Sequence, residues 1–469
     1  MPAAAGWNAR PQSFCRSATL FRRILPGVRD PELHEGERLA PVPPIGEPGG
    51  GRIRRLLRLA TIDLRPLRRH REFRLLFVGQ GLSFFGSMVT YVAIPYQAYD
   101  LTGSTVVVGL LAAAELPPIL VAAFVGGALA DAVDRRRLVQ VAESGLALCA
   151  LALLGNALLD EPRLWVLFVV GIVAAGFVGI QRPPLDALVP RLVDRDELTA
   201  AGALNSLRMN LGMVAGPAVG GVLIATIGLP ATYGLDFATF AFSLLALNLM
   251  RAVPPPSEGA RPSVSGIVEG VRYAWSRPEL MGTYGVDFVA MFFGMSFALF
   301  PAYAAELGGP EVLGVLYAAP SVGSLLATVT SGWTNRVHRH GLAVIVAAAT
   351  WGAAMAAFGL APNLGTAVVA LAIAGGADMV SGIFRSVIWN QTIPDALRGR
   401  LAGIEQVSYS SGPLLGDLEA GIAAALVGLR TSIVAGGVLC VVGVGLFALA
   451  LPAFRRYDAR TWTPADGRT

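Results

Sequence analysis

The fold is decided by one short polar turn between two apolar stretches, which reads Gly126-Gly127-Ala128-Leu129-Ala130-Asp131-Ala132-Val133-Asp134-Arg135-Arg136-Arg137. Two acids and three arginines are costly in hydrocarbon, so the turn is predicted to lie at a membrane surface. The excess of arginine assigns that surface to the cytoplasmic side. The glycine pair lets a neighbouring backbone come close, and Asp131 stands where it can meet the positive N-terminal end of another helix.

The turn resembles the loop between the second and third membrane helices of the major facilitator superfamily, with the pattern G-x-L-a-D-x-x-x-R-R. Asp134 stands where many members of that superfamily carry glycine. The resemblance implies a gate on the cytoplasmic side, in which Asp131 caps the eleventh span near Arg400. It also implies that Arg135 pairs with an acid at the inner end of the fourth span, where Asp186 is the nearest. The remaining predicted gating residues are Gly127 and Arg136.

Composition places the chain among polytopic membrane proteins. Of its 469 residues, 54% are hydrophobic and 15% are charged, against about 25% charged residues in a soluble domain. The net charge of +5 comes from arginines at the ends of apolar segments rather than from one basic tract, so membrane topology explains it better than nucleic acid binding. The sequence contains no lysine, which excludes a phosphate-binding loop that needs one. Uphill work must therefore draw on a gradient or on a partner.

Twelve apolar segments are predicted to span the bilayer, each close to the ~20 residues that a spanning helix needs. Their predicted bounds are 73–98, 105–129, 137–158, 163–182, 200–226, 231–251, 279–303, 312–333, 342–361, 364–388, 401–426 and 430–453. Arginine placement supports this count, because the connections on one side carry nearly all the arginines and those on the other side carry only Arg163 and Arg430. Both termini are therefore predicted to be cytoplasmic.

The predicted organisation has five parts, namely a disordered basic cytoplasmic segment, a six-helix bundle, a cytoplasmic linker with an amphipathic helix, a second six-helix bundle and a cytoplasmic tail. Their bounds are 1–72, 73–252, 253–278, 279–453 and 454–469. Residues 1–62 are polar and rich in proline and glycine, which is typical of disorder. Three interpretations of them stay open: a solvated leader, a start codon assigned too early, and a short basic helix on anionic headgroups.

The two halves repeat at an offset of 204 residues. Gly127 corresponds to Ser331, Pro190 to Pro394 and Gly212 to Gly416, and these anchors are spread over three spans. Two like-oriented halves related by an axis normal to the membrane place a substrate site between them, near the middle of the bilayer. The second copy of the polar turn carries Asn335 in place of the acid, so the two gates are predicted to differ in strength.

A glycine-rich motif lies in the fifth predicted span. Gly212, Gly216 and Gly220 are four residues apart and share one helix face, while Pro217 removes a backbone donor. We predict that this face packs on the eighth span. Most patterns of this kind serve packing alone, but with Gly221 this one resembles the G-x-x-x-G-P-x-x-G-G sequence of exporters in the superfamily.

Charged side chains inside the predicted spans are the candidates for binding, because a charge at the centre of a spanning helix costs about 2.5–3.5 kcal/mol without a partner or a wet cavity. We predict that Glu115, Asp287 and Asp378 bind a proton or a cationic group, and we include Arg208 as a binding candidate. The alternative for each acid is a structural pair, such as one with Arg208, or a position near a helix end. The arginine usual within the fourth span of the superfamily is missing here, so its coupling mechanism does not transfer directly.

Residues 73–453 resemble the branch of the superfamily that contains enterobactin exporters and macrolide-type drug efflux pumps. The stretches that carry this resemblance are 92–95, 125–131, 156–162, 216–223, 314–320, 391–394 and 399–400. The resemblance implies a secondary active exporter of a siderophore or an amphipathic drug-like molecule, working by alternating access as a proton-coupled antiporter. Aromatic side chains in membrane spans mostly belong to the core or face lipid, and the alternative for those of the first and seventh spans is stacking on an aromatic substrate.

The chain is accordingly predicted to be a monomeric, multi-pass protein of the bacterial inner membrane, with protons, lipid and a small molecule as its partners. No nucleic acid, cofactor, resident metal or catalytic residue is expected. The alternatives are an importer of a small metabolite, which the fifth-span motif argues against, and a non-transporting scaffold. An enzyme is disfavoured because all four histidines lie outside the predicted spans.

Overall fold

The computed structural model of the protein describes residues 63–122, 133–252, 272–394 and 397–460, without the side chains of residues 398–400 and 402–403. Most of the predicted disordered segment, most of the predicted linker, and the gating residues Gly127 and Asp131 lie outside the described residues. So does the side chain of Arg400. Residues 63–72 of the predicted disordered segment are described, and they contain the helix Arg65–Arg69 and the start of the helix Arg71–Thr102. The predicted boundaries between the parts of the chain stay predictions.

Twelve long helices follow one another in the described ranges, which contain no strand. They are α1 (Arg71–Thr102), α2 (Thr105–Ala122), α3 (Arg135–Ala157), α4 (Leu164–Leu192), α5 (Leu198–Thr226), α6 (Leu229–Asn248), α7 (Pro278–Leu307), α8 (Pro310–Val329), α9 (His340–Gly359), α10 (Leu364–Thr392), α11 (Arg398–Val427) and α12 (Leu429–Ala450). Eleven of these are long and apolar enough to cross a membrane. The exception is α11, which has the length, but Asp417 and Glu419 make it less apolar.

The two ends of the bundle differ in their connections. At one end, here called the arginine-poor end, consecutive helices are joined by very short turns. Gly103 (φ 62°) and Gly428 (φ 92°) adopt the left-handed region that lets the chain reverse within one or two residues. The opposite end, here called the arginine-rich end, carries the connections that follow α2, α4, α6, α8 and α10. Successive connections alternate between the two ends, so helices that follow one another in the chain are antiparallel.

The packing of the helices repeats between the halves. In the first half α1 packs on α5 and α6, and α3 packs on α4 and α6. In the second half α7 packs on α11 and α12, and α9 packs on α10 and α12, which is the same set displaced by six helices. The halves meet through α2 with α11 and through α5 with α8, and these two pairs are also equivalent. The prediction of an all-helical membrane protein with two pseudo-symmetric six-helix halves is confirmed.

The fourth helix ends ten residues later than predicted. It was expected to end at residue 182, but it continues to Leu192 with Pro183, Pro184 and Pro190 inside it. Proline usually ends a helix in water, whereas in a membrane protein the neighbouring helices can satisfy the freed backbone groups. Arg182 and Asp186 are therefore interior positions of α4 and not its flanks.

The seventh helix is interrupted, which was not predicted. Regular helix ends at Gly294, a short 3-10 turn covers Phe297–Leu299, and a second helical piece runs over Phe300–Leu307. The interruption falls in the middle of the span. Its freed backbone donors need acceptors from other helices.

Candidate functional site

The two halves are in close contact toward the arginine-poor end. Thr105 Oγ1 of α2 donates to the carbonyl of Gly421 on α11 at 2.9 Å. In the other pair, Gly221 of α5 lies so close to Gly314 of α8 that an added Cβ would stand 2.6 Å from the Gly314 backbone. The contact of Thr105 with Gly421, that of Tyr91 with Tyr317 and that of Gly221 with Gly314 all lie in this part of the bundle. The arginine-poor end is therefore closed in this structure.

The glycine motif of α5 packs on a different helix from the one predicted. Cβ atoms added to Gly212, Gly216 and Gly220 would meet Phe84, Met88 and Val89 of α1. The prediction that this face packs on α8 is wrong. Gly221 and Pro217 are the residues that face α8, because they lie about 100° around the helix from Gly220 and Gly216.

Three groups meet at the interruption of α7, near the middle of the bundle. Asp417 Oδ1 of α11 accepts a hydrogen bond from the backbone N–H of Ala298 at 2.8 Å. Tyr317 of α8 donates its hydroxyl to the carbonyl of Phe297 at 3.0 Å. The ring of Tyr317 also contacts Tyr91 of α1 edge to face, 5.5 Å between centroids. The interruption is thus held by α8 and α11, the two helices through which the second half contacts the first.

Glu115 interrupts α2 at the same depth. The regular helix ends at Ala114, and Glu115 Oε1 lies against Gly171 of α4, within 3.3 Å of the place where a Cβ would stand. Glu115 is half-buried and makes no hydrogen bond or ion pair through its side chain among the described residues. The structure therefore separates this candidate from Asp287 and Asp378.

Asp287 and Asp378 are brought together by an arginine that the sequence analysis did not single out. Arg385 of α10 forms an ion pair with Asp287 of α7, and the two side chains are only 4% and 6% exposed. Arg385 Nη2 also lies 3.5 Å from Asp378 Oδ1, whose side chain is 42% exposed although it stands at mid-span. The guanidinium lies over the ring of Tyr409 of α11, 5.4 Å from its centroid. One cation thus joins three helices of the second half.

Aromatic rings continue this surface toward the arginine-rich end. Trp389 of α10 contacts Tyr284 of α7 and Tyr409 of α11, at centroid distances of 5.9 and 5.7 Å. Phe288 and Phe292 of α7 stack at 5.7 Å. Phe288 and Tyr409 are exposed although both lie within spanning helices. Next to Arg385, the rings of Tyr409, Trp389 and Tyr284 form a wall suited to a flat aromatic molecule.

The first half has a buried carboxylate in the equivalent region. Glu143 of α3 is 0% exposed, and its Oε1 accepts from Gln80 Nε2 at 2.7 Å, Ser83 Oγ at 3.0 Å and Gln181 Nε2 at 2.6 Å. Gln80 also contacts Ser243 of α6. Glu143 therefore holds α1, α3, α4 and α6 together.

The offset of 204 residues relates the two polar centres. Ser83 corresponds to Asp287, and Gln181 corresponds to Arg385. In the first half, Ser83 and Gln181 both donate to Glu143. In the second half, Asp287 and Arg385 pair with each other directly. The signal that would have found Arg385 is this offset, together with the rule that a charge at mid-span requires a partner.

Removing the Glu143 carboxylate is expected to destabilise the first half. Glu143→Ala leaves the buried donors of Gln80 and Ser83 without this acceptor, each at a cost of about 1–3 kcal/mol, and frees the half-buried donor of Gln181 as well. Glu143→Gln keeps one acceptor oxygen and should lower the melting temperature of the purified protein much less. Equal melting temperatures for Glu143→Ala and the parent protein would show that the network contributes no stability.

The polar turn is described from Val133 onward. Asp134 caps α3, since its Oδ1 accepts from the backbone N–H of Arg136 at 2.9 Å and of Arg137 at 3.3 Å. This explains an acid in place of glycine at that position. Arg136 donates to the carbonyl of Met250 at the end of α6.

The predicted pair between Arg135 and Asp186 does not form. Arg135 donates to the carbonyl of Ala187 at 3.2 Å, and the cations that act most strongly on Asp186 are Arg182 and Arg208. The reason is that α4 continues beyond residue 186. Successive residues of a helix are turned by about 100°, so Asp186 does not point to the side of α4 on which Arg135 binds the Ala187 carbonyl.

Arg208 lies on α5 beside Gly81 of α1 and donates to Asn205 Oδ1 at 2.7 Å. It is therefore a charge on the first half that faces the region near Asp186. Among the described residues, no group of three or more His, Cys, Asp or Glu side chains is placed to hold a metal ion.

Comparison with known proteins gives a consistent result. Residues 61–466 match the family model described as transmembrane secretion effector. The chain is 31% identical over 402 residues to the enterobactin exporter EntS of Shigella boydii serotype 4 (strain Sb227), covering 84% of this chain and 95% of that protein. EntS of Citrobacter koseri is also 31% identical, over 398 residues and with the same coverage.

Among solved structures, a mutant of the nucleoside transporter NupG is similar with a TM-score of 0.67 and 14% identity, covering 81% of this chain and 99% of that one. These values show a shared fold. They do not show a shared substrate, because one fold serves many functions.

Proposed function

The chain belongs to the transmembrane secretion effector family and is a transporter of the major facilitator superfamily, and from that premise we propose that it exports a siderophore or an amphipathic drug-like molecule. The observation that carries this proposal is the aromatic wall beside Arg385. A siderophore of the catecholate kind presents flat rings with acidic hydroxyls, which suit stacking on Tyr409 and Trp389 and pairing with the nearby cation Arg385. The similar proteins named as enterobactin exporters support the same substrate class.

We further propose that the arginine-rich end faces the cytoplasm of a bacterial inner membrane, with both termini on that side. With the arginine-poor end closed, the site is then accessible to substrate from inside the cell. Rocking of the two halves about the contacts of α2 with α11 and α5 with α8 would open it to the outside. One chain contains both halves, so a monomer suffices.

Proton entry is the proposed driving force. Asp378 is exposed at mid-span beside Arg385, Asp287 shares that arginine, and Glu115 stands at the opposite side of the centre. A hydroxyl of the substrate that donates to the exposed carboxylate of Asp378 would lose its acceptor when that carboxylate takes up a proton. Binding of substrate and of proton would then compete, which is the requirement for antiport.

The test uses inside-out membrane vesicles and radiolabelled enterobactin. Export predicts uptake into the vesicles that depends on an acidic interior and that a protonophore abolishes. Vesicles without the protein serve as the control. Uptake only in right-side-out vesicles would support an importer instead, and no uptake in either would support a scaffold or a different substrate.

The gate at the arginine-rich end is proposed from the sequence pattern. Asp131→Asn is expected to leave the amount of protein in the membrane unchanged and to lower transport by up to about tenfold. A carboxylate at a helix N-terminus contributes roughly 0.3–1 kcal/mol and up to about 2 when partly buried, and about 1.4 kcal/mol changes a two-state ratio tenfold. Transport by Asp131→Asn is compared with Asp160→Asn, an exposed acid at the arginine-poor end. Equal transport by both variants at equal expression contradicts the gate.

A further inference from the structure

A groove lies on the outer surface of the second half, away from the aromatic wall. It has a volume of about 560 Å³, its sides are the end of α8, the start of α9 and the second half of α10, and its floor includes Ala343 and Gly376. Val346 and Ile373 on its walls are more than half exposed. Such apolar surface on the outside of a membrane bundle is in contact with lipid.

The groove extends from the arginine-rich surface to about the middle of the bilayer. Along α9 its lining runs from Leu342 to Thr350, which is roughly 12 Å at 1.5 Å per residue. At its mouth is Trp333, which is exposed and lies 6.3 Å from the ring of Phe384. Tryptophan is enriched at this depth, where acyl chains meet headgroups. The groove therefore has the length of one leaflet.

Two unpaired cations stand at this mouth. Arg339 lines the groove, and Arg336 ends the short turn before it. Both are exposed, and neither guanidinium forms a hydrogen bond or an ion pair with another residue in the described ranges. A cationic mouth above an apolar channel is complementary to a phospholipid with an acidic headgroup.

The opposite leaflet provides an internal comparison. A second groove of about 590 Å³ continues between α9 and α10 toward the arginine-poor end and ends at Ala361. The cation there is Arg430, which donates to the carbonyl of Ala361 and forms an ion pair with Glu306 at 3.1 Å. Its charge is already balanced. Of these two grooves, the one at the arginine-rich end is the one that combines apolar length with positive charge not paired among the described residues.

The first half differs at two corresponding positions. At the offset of 204 residues, Gly376 and Ala377 correspond to Ile172 and Val173, both exposed on the surface of α4. Bulky side chains thus stand where the second half has small ones. Small residues at these two positions are therefore a feature of the second half and do not follow from the pseudo-symmetry of the fold.

We infer that the groove bounded by α8, α9 and α10 binds one phospholipid with an acidic headgroup from the leaflet at the arginine-rich end, with its headgroup on Arg336 and Arg339 and one acyl chain along Ala343 and Gly376. The inference does not depend on the exported substrate. It depends on the proposed orientation only for naming that leaflet the cytoplasmic one.

The test is native mass spectrometry of the full chain in detergent, with phosphatidylglycerol and phosphatidylethanolamine of identical acyl chains. Phosphatidylglycerol should bind to one site at least tenfold more tightly than phosphatidylethanolamine. The double variant Arg336→Gln/Arg339→Gln should remove most of this preference, since each arginine near an anionic lipid surface contributes about fivefold. Arg339→Lys should keep it, and so should Arg195→Gln, which changes an exposed arginine of another connection at the same end.

A second variant tests the apolar part. Ala343→Leu narrows the groove without changing its charge and should weaken the binding of phosphatidylglycerol severalfold. Inorganic phosphate at millimolar concentration should not displace the lipid. Equal binding of the two lipids, or an undiminished preference in the double arginine variant, overturns the inference. Displacement by inorganic phosphate overturns it as well, because the mouth alone would then be the site.

Discussion

Asp287→Ala is expected to abolish transport and to lower the stability of the second half by about 3–5 kcal/mol, the usual cost of removing one partner from a buried ion pair. Arg385 would keep its charge in an environment where its side chain is 4% exposed. The remaining acid, Asp378, lies 3.5 Å away and is partly exposed, so it compensates poorly. The measurements are the melting temperature of the purified protein and uptake into vesicles.

Two controls separate stability from function. The double variant Asp287→Asn/Arg385→Gln removes both charges and should recover most of the melting temperature without recovering transport. Glu306→Gln breaks the exposed ion pair with Arg430, which contributes only about 0–1 kcal/mol. This variant should change neither the melting temperature nor the uptake into vesicles. If Asp287→Ala melts and transports like the parent, the pair is neither structural nor part of the site.

The helical order was predictable because hydrocarbon imposes a simple rule on the chain. Every span must satisfy its backbone internally and must be about 20 residues long, so twelve apolar segments indicate twelve helices. The rule does not fix helix ends. Residues 183–192 contain three prolines and two charged residues, and the packing of α4 against its neighbours keeps them helical.

The candidate site was predictable in its parts but not in its arrangement. The cost of a mid-span charge singled out Asp287 and Asp378, and the structure places both on Arg385. The interruption of α7 was not predictable, since its cap is Asp417, 119 residues further along the chain. Long-range contacts of this kind leave no local pattern.

The choice of neighbour for the glycines of α5 shows the same limit. A stripe of Gly212, Gly216 and Gly220 predicts that some backbone comes close, but the stripe does not say which helix. The structure gives that place to α1 and leaves the contact between the halves to Gly221. The residue next to the stripe is therefore the one whose substitution should affect the conformational change.

Gly221→Ala is expected to open the arginine-poor end and to reduce the population of the present state about tenfold or more. The added Cβ would stand 2.6 Å from Cα and N of Gly314 and 2.9 Å from the carbonyl oxygen of Pro310. These are backbone atoms that cannot rotate away, and overpacking of this kind costs about 1–3 kcal/mol. The only relief is separation of α5 from α8, which rocks the halves and closes the arginine-rich end.

Spin labels on Arg195 and Arg336 measure this shift, because both residues are exposed at the arginine-rich end and each belongs to a different half. In Gly221→Ala the shorter distance between labels should predominate, and transport should fall because the cycle no longer returns to the present state. Gly234→Ala is the matched control, since nothing lies within 4 Å of its added Cβ. Its distances and transport should equal those of the parent. If Gly221→Ala gives the distances of Gly234→Ala, the approach of α5 to α8 does not hold the arginine-poor end closed, and the contact of α2 with α11 must do so alone.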